Sequence, residues 1–136
     1  MNIQNAQEKI IEDVSKHNEW FDTYEFIIDQ AKKLEPMPDN LKTEQNQVRG
    51  CQSKVWIHAK KNKDVINFIA DSDTIITKGL IALLLQVLNN QTADSIIKAD
   101  LFFLKKAGLS TNLSPSRANG LVSIVNKMKD LAKTFI

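Results

Sequence analysis

The sequence predicts an α+β domain, a small antiparallel β-sheet of about three strands with helices packed on one face. Three observations carry that reading. Two early stretches space their apolar residues three and four apart; strict alternation takes over between Lys54 and Asp71; helical spacing then returns to the end. The chain has 136 residues, a length that fits one domain, since domains commonly run to about 100–150 residues. Residues 1–136 are therefore read as a single unit, and folding at this size hides about two-thirds of the chain's surface.

Residues 4–17 read as a helix with Ile10, Ile11 and Val14 on one side. Asn18 offers a capping oxygen to the next helix, and Glu19 and Asp22 place negative charge in its first turn. Trp20, Tyr24, Ile27, Ile28, Ala31 and Leu34 form its apolar stripe, while Glu25, Asp29 and Lys33 face away. Pro36 and Pro38 stop it near Glu35. PMPDNLKTEQNQ is a polar loop without periodicity that leads to Cys51.

Val55, Ile57 and Ala59 then share one face, with Trp56 and His58 on the other. After the turn KKNKD, Ile66, Phe68 and Ala70 align, and the two runs make a hairpin. A third short strand is expected at 47–49. Ser72 or Asp73 caps a long helix whose core side includes Ile76, Leu80, Leu83, Leu84 and Val87. Thr92 caps a short helix through Ile96 and Ile97, and 101–107 forms another, closed by Gly108. Ser114 followed by Pro115 is a favourable start for the last helix. Its apolar side runs through Val122, Val125, Met128, Leu131 and Ala132, and Lys127, Lys129 and Lys133 suit its C-terminal end.

Composition removes several function classes. The net charge of +2 comes from 18 basic and 16 acidic residues scattered along the chain, and only Arg49 and Arg117 are arginines. Nucleic-acid readers lean on clustered basic residues, so no nucleic-acid partner is expected. The most apolar run, LIALLLQVL, is far shorter than the roughly 20 residues that cross a bilayer, so no membrane partner is expected. The N-terminal MNIQNAQEKIIEDV has the layout of neither a signal nor a transit peptide. One cysteine allows no internal disulfide, and a cytoplasmic location is expected.

The chemistry-bearing residues are few. A structural metal site wants about four Cys or His ligands at short spacings, whereas Cys51, His17 and His58 are widely separated; no metal site is expected. His58 lies seven residues beyond Cys51 along an expected strand, about 20 Å when extended, out of reach as a general base. Gly50, Gly79, Gly108 and Gly120 are isolated, so there is no phosphate loop. Lys78 in TKGL reads as a helix-surface lysine rather than a Schiff base, in a domain too small to enclose PLP.

That leaves the thiol. Gly50 permits a tight bend that presents Cys51, Gln52 and Ser53 are polar neighbours, and Arg49 is placed to favour the thiolate. These residues alone leave a reactive thiol and an inert buried cysteine equally open.

The segment NQVRGCQSKVW resembles the signature of SufE-type sulfur acceptor proteins, which serve cysteine desulfurases in iron–sulfur cluster assembly. The similarity continues in order through WFDTYEFIIDQAKKL, ADSDTIITKGLIALLL and LSTNLSPSRANGL. The resemblance implies a SufE/IscU-like fold, and Cys51 as the residue that takes sulfur as a persulfide. The donor would be a PLP-dependent desulfurase of SufS or CsdA type, stimulated in the exchange, and the cargo would pass to a SufBCD-like scaffold. PLP belongs to the partner, and this chain is expected to bind no cofactor.

Gln52 and Ser53 would shape the sulfur loop; Asp73, Lys78 and Arg117 would position it or touch the desulfurase. Arg49 and Gly50 join that loop, Arg49 on local grounds rather than the family's. Plainer roles stand beside these: a helix cap for Asp73, a solvated side chain for Lys78, a surface ion pair for Arg117. Gly79 and Gly120 read as close-packing points and Trp56 as packing on the sheet. The loop is expected to tuck its sulfur inward when unpartnered. A stand-alone thiol enzyme using Cys51 (a small hydrolase or peroxide reductase) is the alternative, and a binding module with an incidental cysteine a third reading. A homodimer is left open.

Overall fold

The structure, a computed structural model, describes residues 2–17 and 19–136; the capping role expected of Asn18 lies outside the described residues. Among those residues the order is α1 (Ile3–Ser15), α2 (Trp20–Ala31), β1 (Val55–Asn62), β2 (Val65–Ser72), α3 (Ile75–Leu88), α4 (Ala93–Lys98), α5 (Phe103–Lys106) and α6 (Pro115–Lys133). The loop after α2 is not wholly irregular: it makes a 3-10 turn at Asp39–Leu41 and buries Met37.

α3 is the central element because its sequence is apolar almost all round. Ile76, Leu80, Ile81, Leu83, Leu84, Val87 and Leu88 are all buried, as expected of a helix enclosed on most sides. α2 lies directly against it. A methyl group added at Gly79 would overlap the Ile27 carbonyl, so the absent side chain is what lets the two backbones approach. The inner face of α2 buries Thr23, Ile27 and Gln30, and Gln30 is satisfied by a 2.8 Å bond from Gln86 Nε2. Gln7 of α1 is buried too, and bonds both the Asp100 carbonyl and the Phe103 amide at 3.1 Å. Those paired amides let polar side chains sit in a core that would otherwise reject them.

The hairpin pairs Val55 with Ser72 through to Asn62 with Val65. Val55, Ile57, Ile66, Phe68 and Ala70 reach the core, while Trp56 and His58 stay half-buried on the other face. The third strand expected at 47–49 is reduced to a single bridge, Gln47 to Trp56. Val48 N–H donates to the Val55 carbonyl at 2.7 Å and Ile57 N–H to the Asn46 carbonyl at 2.8 Å. The ladder ends there because Gly50 turns at φ +90°, outside strand geometry. The sheet is therefore two-stranded.

Two helix starts follow the sequence. Thr92 accepts the Ser95 amide at 3.2 Å and Ser114 accepts the Arg117 amide at 3.4 Å, with Pro115 first in α6. α3 differs from expectation. Its N-cap is Thr74, while Ser72 Oγ accepts the Thr74 amide and Asp73 is bonded elsewhere.

Candidate thiol cleft

The residues between the Gln47 bridge and β1 must reverse direction within a few positions, and Gly50 at φ +90° makes the bend. Cys51 follows, half-buried, and its thiol donates to the Gly120 carbonyl of α6 at 3.5 Å. Gly120 is buried, and a Cβ placed there would stand 3.5 Å from the sulfur. The loop thus rests against bare helix backbone, and the close-packing role read for Gly120 has the sulfur itself as its neighbour.

A cleft of about 290 Å³ opens beside the thiol. Gln52 and Ser53 line it from the loop, Asp73, Thr74 and Thr77 from the start of α3, and Ser116 and Arg117 from the start of α6; Leu80, Leu121 and Ile124 supply apolar wall. Gln52 is exposed at the mouth and Ser53 half-buried. Burial pushes the Cys51 thiol up from its ordinary pKa, because an ionised sulfur is poorly solvated there.

The structure separates the charged residues named from sequence. Arg117 lines the cleft. Arg49 does not: it is exposed and faces another groove with Gln47, Ser123, Lys127 and Asp130. The thiolate help expected of Arg49 is not seen: burial is what acts on the Cys51 thiol, and no arginine charge offsets it. Lys78 is also outside the cleft, paired with Asp71 at 3.5 Å, while the preceding Thr77 points in, as the 3.6-residue period separates neighbours on a helix.

Asp73 is a latch rather than a cap. Its carboxylate accepts the Lys54 amide at 3.0 Å, and its own amide donates to the Lys54 carbonyl at 3.2 Å. The loop's C-terminal root is thereby tied to the approach to α3. A second tie involves Asp71, directly opposite Trp56 in the register. Its carboxylate holds Lys42 at 3.1 Å as well as Lys78, and the Lys42 ammonium lies 5.6 Å from the Trp56 ring centroid. Burial pushes Asp71 up, but the Lys42 bond, the Ser72 amide and the nearby Lys78 charge outweigh it and leave the carboxyl below its ordinary pKa.

Sequence reasoning missed Asp71, Thr74, Thr77 and Ser116. An acid within an alternating strand and two threonines at the head of an apolar helix were the available signals. His17 packs against Phe26 with centroids 5.6 Å apart, His58 stands opposite Ile69, and neither lines the cleft. Among the described residues no three His, Cys, Asp or Glu side chains converge to hold a metal ion. No described helix is long and apolar enough to cross a membrane.

The architecture and the sequence both have relatives. A solution structure of a hypothetical protein from Thermus thermophilus shares the fold, with a TM-score of 0.79 over 95% of this chain and 94% of that one, at 17% identity. An uncharacterized SufE-like protein of Synechocystis is 39% identical over 127 residues, covering 93% of this chain and 80% of that protein. Another from Rhizobium meliloti is 36% identical over 131 residues, covering 93% and 94%. SufE-like protein 1 of Arabidopsis thaliana, described as chloroplastic/mitochondrial, is 38% identical over 111 residues, 80% of this chain but 30% of that longer protein. The family model for SufE, an Fe–S metabolism associated domain, matches residues 8–132. With that match running from α1 to the last turn of α6, the chain belongs to the SufE family of Fe–S metabolism.

Proposed function

We propose that Cys51 accepts the outer sulfur of a persulfide held by a PLP-dependent cysteine desulfurase of SufS or CsdA type. The observation that carries this reading is the chain's only thiol seated on a bent loop at an open cleft, with no histidine base lining it. The Cys51 thiolate attacks the donor's terminal sulfur, a new S–S bond forms as the donor's S–S bond breaks, and the donor cysteine leaves as thiolate. One sulfur atom moves, one disulfide-type bond is exchanged for another, and no external oxidant or reductant enters. PLP stays in the partner, where it supplies the carbon–sulfur cleavage that loads the donor.

The bond from Cys51 to the Gly120 carbonyl supports a stored state in which the thiol stays protonated and turned inward. Docking of a desulfurase turns the loop outward. Removing sulfur regenerates the donor thiolate for its next turnover, which is how the acceptor stimulates the enzyme. The cargo then passes to a SufBCD-like scaffold in the reducing cytoplasm. Arg117 and Gln52, at the cleft and its mouth, face the incoming sulfur, Ser53 shapes the loop, Asp73 holds its root, and Lys78 lies beyond it.

The test is incubation with a desulfurase and cysteine, followed by intact mass. One added sulfur, removable by reductant and absent in Cys51→Ser, is expected. No added mass, or substrate turnover by the chain without any desulfurase, overturns the proposal in favour of a stand-alone thiol enzyme or a plain binding module.

A further inference from the structure

The cysteine loop is fastened at its two ends and rests on α6 between them. Val48 N–H donates to the Val55 carbonyl at 2.7 Å, and Lys54 exchanges two bonds with Asp73 at 3.0 and 3.2 Å. Among the described residues, no backbone group of 49–53 bonds to another element. Gly50 and Cys51 are the residues that meet α6. A Cβ added at Gly50 would stand 2.7 Å from Ser123 Oγ and 3.5 Å from Ser123 Cβ, and the Cys51 thiol reaches the Gly120 carbonyl at 3.5 Å. Gly120 and Ser123 are three positions apart, hence neighbours on one face of the helix.

The two sides of this contact are small for different reasons. Gly50 answers a backbone demand, its φ of +90°. Ser123 answers none: it lies inside regular helix, half-buried, and its hydroxyl makes no hydrogen bond to another described residue. Size is what position 123 contributes. A bulkier side chain would occupy the space where Gly50 now lies, and the loop would have to rise to clear it. Cys51 is the next residue, so lifting Gly50 carries the sulfur away from Gly120. The bonds at Val48 and Lys54 stay intact in that movement, because both lie outside the lifted stretch.

We propose that Ser123 is a positioning residue for the Cys51 sulfur. Its small side chain sets how deeply the loop sits on α6, and with that the balance between a thiol held against Gly120 and one turned to solvent. Segments with few backbone bonds to the rest of a domain open at low free energy, so one side chain under the loop is enough to move that balance. A raised loop also takes sulfur from a desulfurase more readily, a part of the inference that rests on the sulfur-acceptor reading.

The test uses the free protein and iodoacetamide across pH, with no desulfurase, so it stands or falls separately from sulfur acceptance. Ser123→Ile is the main variant, because a β-branched side chain has one favoured rotamer on a helix and cannot swing its bulk aside. Cys51 is expected to be alkylated faster than in wild type near neutral pH, with the profile displaced to lower pH as burial of the thiol is relieved. Amide exchange should quicken at 50–53 and not elsewhere. Ser123→Thr adds a single methyl and gives a smaller change in the same direction; it serves alone should the isoleucine variant fail to fold. Ser123→Ala, and Val122→Ile on the exposed neighbour, keep the wild-type profile. A wild-type rate and profile in the enlarged Ser123 variants overturns the proposal, as does an equal acceleration in Ser123→Ala or Val122→Ile.

Discussion

The Cys51 thiol and the Gly120 carbonyl meet at 3.5 Å across 69 residues of sequence. A cysteine that donates to a helix carbonyl is held in its neutral form, and burial acts in the same direction. The sulfur thus lies half-buried against the backbone of α6.

A first expectation concerns thiol titration. A raised pKa means a smaller thiolate fraction at every pH below the folded midpoint. Folded protein should be alkylated more slowly near pH 7.5 than the same chain in denaturant, and the gap should narrow as pH rises well past the free-cysteine value of about 8.5. Iodoacetamide kinetics by mass spectrometry check this.

Two glycine-to-alanine changes should have opposite signs. At Gly120 an added Cβ meets Cys51 Sγ at 3.5 Å, ordinary contact, so Gly120→Ala should fold normally and gain about 0.5–1 kcal/mol from helix entropy. At Gly79 the added methyl overlaps the Ile27 carbonyl, and Gly79→Ala should lose about 1–3 kcal/mol through overpacking. Urea denaturation of both variants measures the difference.

Asp71 should leave a pH signature. Its folded pKa lies below the ordinary carboxylate value, so its contribution is present above the unfolded pKa of about 3.9 and is lost as pH falls through the folded one. Asp71→Asn should be less stable than wild type near pH 7, and the two melting curves should converge below about pH 3. A constant difference across that range would mean the lysine pairs contribute nothing.

Asp73→Ala removes the acceptor for the Lys54 amide. The loss in stability should be small, about 0.5–1.5 kcal/mol, but local. Amide exchange at Lys54 should accelerate, and Cys51 should be alkylated faster as the loop loosens at its root.

Much of this architecture was legible because it rests on periodicity. The stripe of Ile76, Leu80, Leu83, Leu84 and Val87 and the alternation from Val55 to Ala70 are buried as their spacing requires. Thr92 and Ser114 cap because a short oxygen-bearing side chain precedes each helix. Positions governed by contacts distant in sequence were not legible. Whether 47–49 forms a strand depends on how sharply Gly50 turns. Asp73 looked like a cap, yet the Lys54 amide brought to it by the hairpin register claims its carboxylate. Arg49 is close to Cys51 in sequence and away from its cleft. Asp71, Thr74 and Thr77 acquire meaning only once β2, α3 and the loop are assembled.

A single-turnover transfer puts the central idea to its sharpest test. A desulfurase is loaded with labelled sulfur, cleared of free cysteine and mixed with this protein. Label should leave the enzyme and arrive at position 51 in matching amounts; label that stays on the enzyme, or that moves equally well to the Cys51→Ser variant, would contradict it.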